Sequence, residues 1–278
     1  MSGRLKVLRS GDEAALGELL AQDPIANCFV AARLEVAGLE PWRLGGEVWG
    51  WFEDRELVAG LFLGANLIPI GGTPRSRTSF SERAMSAGRH CSSIVGPSEE
   101  VLALWQLLAS AWGPAREIRA DQPLLAMDRD SQMPSDELVR PATLEDLDLL
   151  IPACIAMFTE EVGAPPFPVG GSQAYRNRVA ELVKSERAYV RIIDGQVAFK
   201  AEVGAVSRAA CQVQGVWVDP ALRGKGFSVG GMAAVVAAAR QKQGPIVSLY
   251  VNDYNTVARA TYARVGFRPV GQFATILF

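Results

Sequence analysis

A polar seam that carries a proline, Asp128-Arg-Asp-Ser-Gln-Met-Pro-Ser-Asp-Glu137, divides this chain of 278 residues into stretches that repeat one order of elements. Before the seam, Val7–Leu20 holds a short apolar run, a Ser10-Gly-Asp-Glu start signal and a helix-period set, Leu16, Leu19 and Leu20. After it, Leu138-Val-Arg reads as a strand, Pro141-Ala-Thr143 as a helix start, and Leu147, Leu149 and Leu150 as the helix's apolar positions. A hairpin follows in each stretch, at Glu47–Phe62 around Glu53-Asp-Arg-Glu56 and at Ala188–Glu202 around Asp194-Gly195. Asp-Gly between apolar strands is the strongest short turn signal. Helical periods recur at Ser98–Trp112 (Val101, Leu102, Trp105, Leu108) and at Ser228–Gln241 (Met232, Val235, Val236, Ala239). Late strands, Pro123–Met127 and Phe273–Phe278, close the two halves. The expectation is a mixed α/β chain of two domains in tandem, residues 1–130 and 138–278.

Composition narrows the function. Hydrophobic residues make up 49% and charged residues 21%, enough apolar material for two packed cores. A formal charge of −2 supplies no basic field, so nucleic acid is a poor partner. Cys28, Cys91, Cys154 and Cys211 share no CxxC spacing and read as reduced, buried thiols of an intracellular protein. The first twenty residues lack the apolar run of a signal peptide, and no stretch nears the roughly 20 apolar residues of a membrane span. A cytoplasmic protein without membrane partners is expected. His90, the only histidine, lies in Ser86-Ala-Gly-Arg-His-Cys-Ser-Ser93 and reads as structural or exposed. Histidine-rich metal sites and a serine or cysteine triad are therefore weak readings, and no metal is expected.

The chemistry concentrates in Cys211–Tyr262. Cys211-Gln-Val-Gln-Gly-Val-Trp-Val218 is strand-like and Asp219-Pro220 ends it. Ala221-Leu-Arg-Gly-Lys-Gly-Phe-Ser228 then leads directly into a helix. A glycine-rich turn from strand to helix N-terminus converges several backbone N–H groups, and the helix dipole adds to them, which suits a pyrophosphate. Arg223 and Lys225 would add side-chain charge there. A bare Gly-x-Gly serves a backbone turn equally well. The loop is neither a Walker A loop nor a Rossmann fingerprint, since the spacings of both are absent.

Val216-Trp-Val-Asp-Pro-Ala-Leu-Arg-Gly-Lys-Gly226 resembles the signature of the GNAT superfamily of acyl-CoA-dependent acyltransferases. Arg223, Gly226 and Ser228 fall on the family's R/Q-x-x-G-x-G/A core, with Ser228 where Gly or Ala is usual and where a serine can also cap the helix. Downstream, Leu249-x-Val251, Asn255, Ala258 and Tyr262 resemble a second family pattern, and Asn255 and Tyr262, seven positions apart, share a helical face. The resemblance implies two GNAT-like domains in tandem, each a mostly antiparallel twisted sheet flanked by helices. It implies acetyl-CoA, or another acyl-CoA, as co-substrate, bound by Trp217, Val218, Arg223, Gly224, Lys225, Gly226, Phe227, Ser228 and Asn255. Backbone N–H groups around Trp217 and Val218 would polarise the thioester carbonyl, and Tyr262 would protonate the departing sulfur. The acceptor would be an amine of a small molecule or peptide, and a homodimer is compatible with the reading. Glu202 and Glu161 are the candidate bases, with Glu160 beside them, although each taken alone reads first as a solvated surface carboxylate. Pro165–Gly171 reads as an acceptor-side lid or a plain surface loop.

The N-terminal half shows no such loop. Ile94-Val-Gly-Pro-Ser98 enters its helix, and Pro97 is incompatible with a cradle of consecutive N–H donors. It resembles a degenerate GNAT-like domain, and the whole chain resembles actinobacterial GNAT proteins with an uncharacterised, DUF4081-like N-terminal domain. Trp42, Trp49, Trp51, Trp105 and Trp112 suit a packed core or a domain interface there. Two other functions stay open: a non-catalytic acyl-CoA sensor or scaffold, and an aminoacyl or thiol-conjugate transferase.

Overall fold

The computed structural model describes residues 3–167 and 171–278, so Pro168, Val169 and Gly170 of the candidate lid lie outside the described residues. The first unit begins with β1 (Gly3–Val7), α1 (Glu13–Ala21), α2 (Cys28–Ala37) and a single helical turn, α3 (Pro41–Leu44). It continues through β2 (Gly46–Glu53), β3 (Glu56–Gly64), β4 (Asn66–Ile70), α4 (Pro74–Ala87), β5 (Ser93–Pro97), α5 (Ser98–Trp112) and β6 (Glu117–Met127). Leu16, Leu19 and Leu20 of α1 are buried, as their spacing predicts, and pack with Val48, Phe62 and Ile70 of the sheet. On the other face, Val101, Leu104, Trp105 and Leu108 of α5 join Trp49, Trp51 and Phe80. Trp42 departs from the expectation of burial. On the short α3 turn it is 81% exposed.

The second unit runs β7 (Arg140–Pro141), α6 (Leu147–Val162), α7 (Ser172–Lys184), β8 (Ala188–Ile193), β9 (Gln196–Val206), β10 (Ala210–Val218), α8 (Phe227–Lys242), β11 (Ile246–Tyr250) and α9 (Thr256–Val265). Its first strand is shorter than the sequence suggests, because Leu138 and Val139 precede the pairing of Arg140 with Val190. Leu147 and Leu150 of α6 are buried but Leu149 is exposed, since three leucines within four positions cannot share one 100° stripe. All four cysteines are buried and none forms a disulfide. Among the described residues, no helix is long and apolar enough to cross a membrane.

The last strand, β12 (Arg268–Leu277), lies between β5 and β6, pairing antiparallel with β5 from Phe273↔Pro97 to Leu277↔Ser93. Residues 250–255 and 269–278 accordingly pack into the first unit, alongside residues 1–125. The chain thus departs from a clean split into residues 1–130 and 138–278. Sequence order and packing diverge because Ala274 and Ile276 of β12 are buried with the tryptophan-rich core of the first unit, and Phe273 with Ala26 and Leu124.

Setting aside α3, both halves repeat one order: strand, two helices, three strands, helix, strand, helix, strand. Both are mixed α/β with mostly antiparallel pairing. The parallel pairs β4–β5 and β10–β11 fall at corresponding places. The turns of the two hairpins also correspond: Asp54 and Arg55 have φ of 47° and 76°, Asp194 and Gly195 have 50° and 74°. Two successive left-handed residues define the type I′ turn that matches strand twist. Alanine at Gly195 is expected to cost about 1 kcal/mol, the penalty of a Cβ in that region, measurable as a lower urea midpoint with an unchanged m-value.

Candidate active site

β10 and β11 run parallel and pair over Ala210↔Ile246, Cys211↔Val247 and Gln212↔Ser248. Beyond Gln212, that edge of β10 has no strand partner among the described residues. On its other edge, β10 pairs with β9 through a bulge: Gln214 faces Glu202 and the next matched pair is Trp217 with Lys200. Gly215, inside the bulge, has φ of +60°. Asp219 N–H donates to Ala198 O on the β9 side at 3.0 Å. Successive N–H groups alternate between the two edges of a strand, so Val218 N–H faces the open edge and Trp217 N–H faces β9. Of the two donors expected for a thioester carbonyl, only Val218 points where a ligand can reach.

The loop after β10 is built from one Asx contact and two glycines. Asp219 Oδ1 accepts from Ala221 N–H at 2.8 Å and starts a single 3₁₀ turn, Pro220–Leu222. Gly224 and Gly226 then have φ of +77° and +88°, with open space where a Cβ would stand. Gly226 is the N-cap of α8, so Ser228 is not, and its hydroxyl lies 3.4 Å from that of Thr261 instead. Among the described residues, the N–H groups of Gly224, Lys225, Gly226, Phe227 and Ser228 make no hydrogen bond, and the first donors of α8 to find an acceptor are Val229 and Gly230. Five successive donors, with left-handed backbone at Gly224 and Gly226, thus stand together at the positive end of a helix, an arrangement that suits an anion.

The charged side chains divide between two places. Lys225 is exposed on the loop. Arg223 turns back, donating to Val218 O at 3.1 Å and to Glu160 Oε2 at 2.7 Å. This pair holds the Glu160 carboxyl below its usual range. Phe227 carries the Arg191 guanidinium over its ring at 5.8 Å.

Tyr262 is buried on α9, with its ring edge-on to Phe267 at 5.9 Å. Burial, with the charge of Glu161 added, pushes its phenol above the usual tyrosine range. Glu161, whose charge acts on this phenol, lies on the last exposed turn of α6. Asn255 directly precedes α9, in the turn where its N–H donates to Asn252 O at 2.9 Å.

Glu202 is no surface carboxylate. It is 7% exposed, its Oε1 lies 2.7 Å from Nζ of the fully buried Lys200, and Cys154 Sγ sits 3.4 Å from the same oxygen. Burial opposes its ionisation, but the Lys200 ammonium wins and holds it below the ordinary carboxylate range. A carboxylate so held is a poor proton acceptor. Sequence reasoning missed Lys200 and the bulge. Gly215, isolated within a strand pattern, was the available signal for the latter.

By element order, the N-terminal counterpart of α8 is α4, not α5. The equivalent loop is therefore Ile70-Gly-Gly-Thr-Pro74 rather than Ile94–Ser98, and Pro97 is not what disables it. Thr73 and Ser76 form a reciprocal capping box there. A Cβ on Gly72 would lie 2.2 Å from Oε2 of Glu100, whose carboxylate is gripped by Arg77 at 2.8 and 2.5 Å. The chain's own hydroxyls and carboxylate occupy this helix end.

Residues 156–267 match the profile described as Acetyltransferase (GNAT) family, and residues 46–150 match a domain of unknown function, DUF4081. Among curated proteins there is no match. A solved Drosophila protein is similar over 100% of this chain and 99% of its own, with a TM-score of 0.67 and 13% identity. A GCN5-related N-acetyltransferase from Sphaerobacter thermophilus aligns over 98% and 94%, with a TM-score of 0.59 and 17% identity. A tandem GNAT protein from the clavulanic acid biosynthesis pathway aligns over 99% and 98%, with a TM-score of 0.51 and 14% identity. At these identities the likeness establishes the fold.

Proposed function

Because residues 156–267 match the acetyltransferase (GNAT) family and residues 46–150 match DUF4081, we propose that this chain transfers an acetyl group from acetyl-CoA to the amine of a small molecule or peptide. The observation that carries the reading is the row of five unbonded N–H groups from Gly224 to Ser228 at the start of α8. They fit a pyrophosphate, and Lys225 adds charge beside them. The open edge of β10 offers Val218 N–H to the thioester carbonyl, a donor held in place before the reaction starts. Glu161 accepts the amine's proton as attack proceeds. Tyr262, kept protonated by burial, donates its own to the departing sulfur. The N-terminal unit, whose equivalent helix end is filled by Thr73, Ser76 and Glu100, binds no second acyl-CoA.

Acetyl-CoA is expected to raise the melting temperature of the full chain, since a ligand at 100 times its Kd adds about 2.7 kcal/mol to native stability. Alanine at Gly226 places a Cβ in the open space of the loop and is expected to remove most of that increase. No shift with millimolar acetyl-CoA would refute the proposal. A shift without turnover against a panel of amines would instead identify an acyl-CoA sensor.

A further inference from the structure

Lys200 sets a constraint that the strand ladder does not. A fully buried ammonium is costly even when paired, and replacing such pairs by apolar residues is often neutral or stabilising. This one does more than face Glu202. Its Nζ also donates to Gly215 O at 2.9 Å, from the β9 side, inside the bulge of β10. Gly215 and Val216 fall between the matched pairs Gln214↔Glu202 and Trp217↔Lys200, so regular pairing does not orient the peptide between them. A Cβ on Gly215 would lie 3.1 Å from both Lys200 Nζ and Met157 Cε, so the backbone rests directly on the ion pair. In a planar trans peptide the C=O and the following N–H point in opposite directions. With Gly215 C=O drawn to Lys200, Val216 N–H points away from the ion pair.

We propose that Lys200, braced by Glu202, is a positioning residue that aims Val216 N–H at the acyl carbonyl of the thioester. The proposal rests on the acetyl-CoA reading above. It assigns Glu202 a part in holding Lys200 rather than in taking the acceptor's proton, and adds Val216 as a donor beside Val218.

Two measurements on the full chain test it without an acceptor. With valine amides labelled by 15N, acetyl-CoA should move the Val216 amide resonance downfield relative to CoA alone. With 13C in the acetyl carbonyl, the infrared band of bound acetyl-CoA should lie at lower wavenumber than that of free acetyl-CoA. The double variant Lys200→Met/Glu202→Leu leaves no unpaired buried charge. It should still bind CoA, lose most of the band shift, and turn over about tenfold or more slowly, in line with the loss of an oriented donor. A Val216 amide indifferent to the acetyl group overturns the proposal, as does a folded double variant with the wild-type band shift. The amide result stands even where the variant does not fold. If the wild-type chain binds neither acetyl-CoA nor CoA, the functional reading itself falls. If it binds acetyl-CoA without the amide response, only the positioning role does.

Discussion

Replacing Tyr262 with phenylalanine is expected to lower turnover about 10²- to 10⁴-fold, the usual contribution of a positioned general acid, while acetyl-CoA binding persists. That loss corresponds to about 3–5 kcal/mol of barrier. The ring is what packs against Phe267 and fills the buried site, so phenylalanine keeps the fold and removes only the hydroxyl. The effect should appear in kcat, because the proton is needed only as the carbon–sulfur bond breaks. The pH profile gives a second handle. A general acid works while protonated, and burial together with the Glu161 charge raises this phenol's pKa. The rate should therefore show no alkaline fall from Tyr262 until above pH of about 10, the ordinary tyrosine value. Stopped acetyl transfer with unchanged thermal stabilisation by acetyl-CoA would meet the expectation. A variant with wild-type kcat would remove Tyr262 from the mechanism.

Ending the chain at Phe267 is expected to prevent folding of the N-terminal unit, although every residue removed lies after the family match. β12 inserts between β5 and β6, and Phe273, Ala274, Thr275 and Ile276 are buried there. Phe278 stands edge-on to Trp105 and Trp112 at 5.6 and 5.9 Å. Burial of one large apolar side chain contributes about 1.5–3 kcal/mol. Losing three of them takes a large share of the roughly 5–15 kcal/mol that holds a domain together. The cut also exposes the edges of β5 and β6 to aggregation. Circular dichroism and size-exclusion chromatography of the truncated chain would show loss of the cooperative transition or large assemblies. A soluble truncation with a near-native melting temperature would show that β12 is dispensable. For the same reason residues 138–278 expressed alone should be poorly soluble, because β12 would lack the strands that cover it.

Much of the architecture was legible because local physics dictates it. The Leu16, Leu19 and Leu20 stripe, the Asp194-Gly195 turn and the termination of α9 at Gly266 need only nearby residues. The glycine-rich turn into α8 was legible for the same reason, since positive φ at Gly224 and Gly226 is a property of those residues. Identifying the right N-terminal counterpart failed because α4, rich in serine and arginine, carries a weaker apolar period than α5. Glu202 was misread for a different reason. A carboxylate in a strand is usually solvated, and only the position of Lys200 two residues away, on the same buried face, reverses that expectation.

By itself the sequence determined the repeated order of elements, the turn chemistry, the glycine-rich loop into α8 and the tyrosine on α9, because short-range sterics and hydrophobic period act over a few residues. Only the tertiary structure decided that β12 completes the first unit, that Glu100 fills the first unit's helix end, and that Lys200 reaches into the β10 bulge. Each of these depends on groups remote in sequence or on adjacent strands being brought within a few ångströms, where burial turns a charge or an apolar edge from indifferent to decisive.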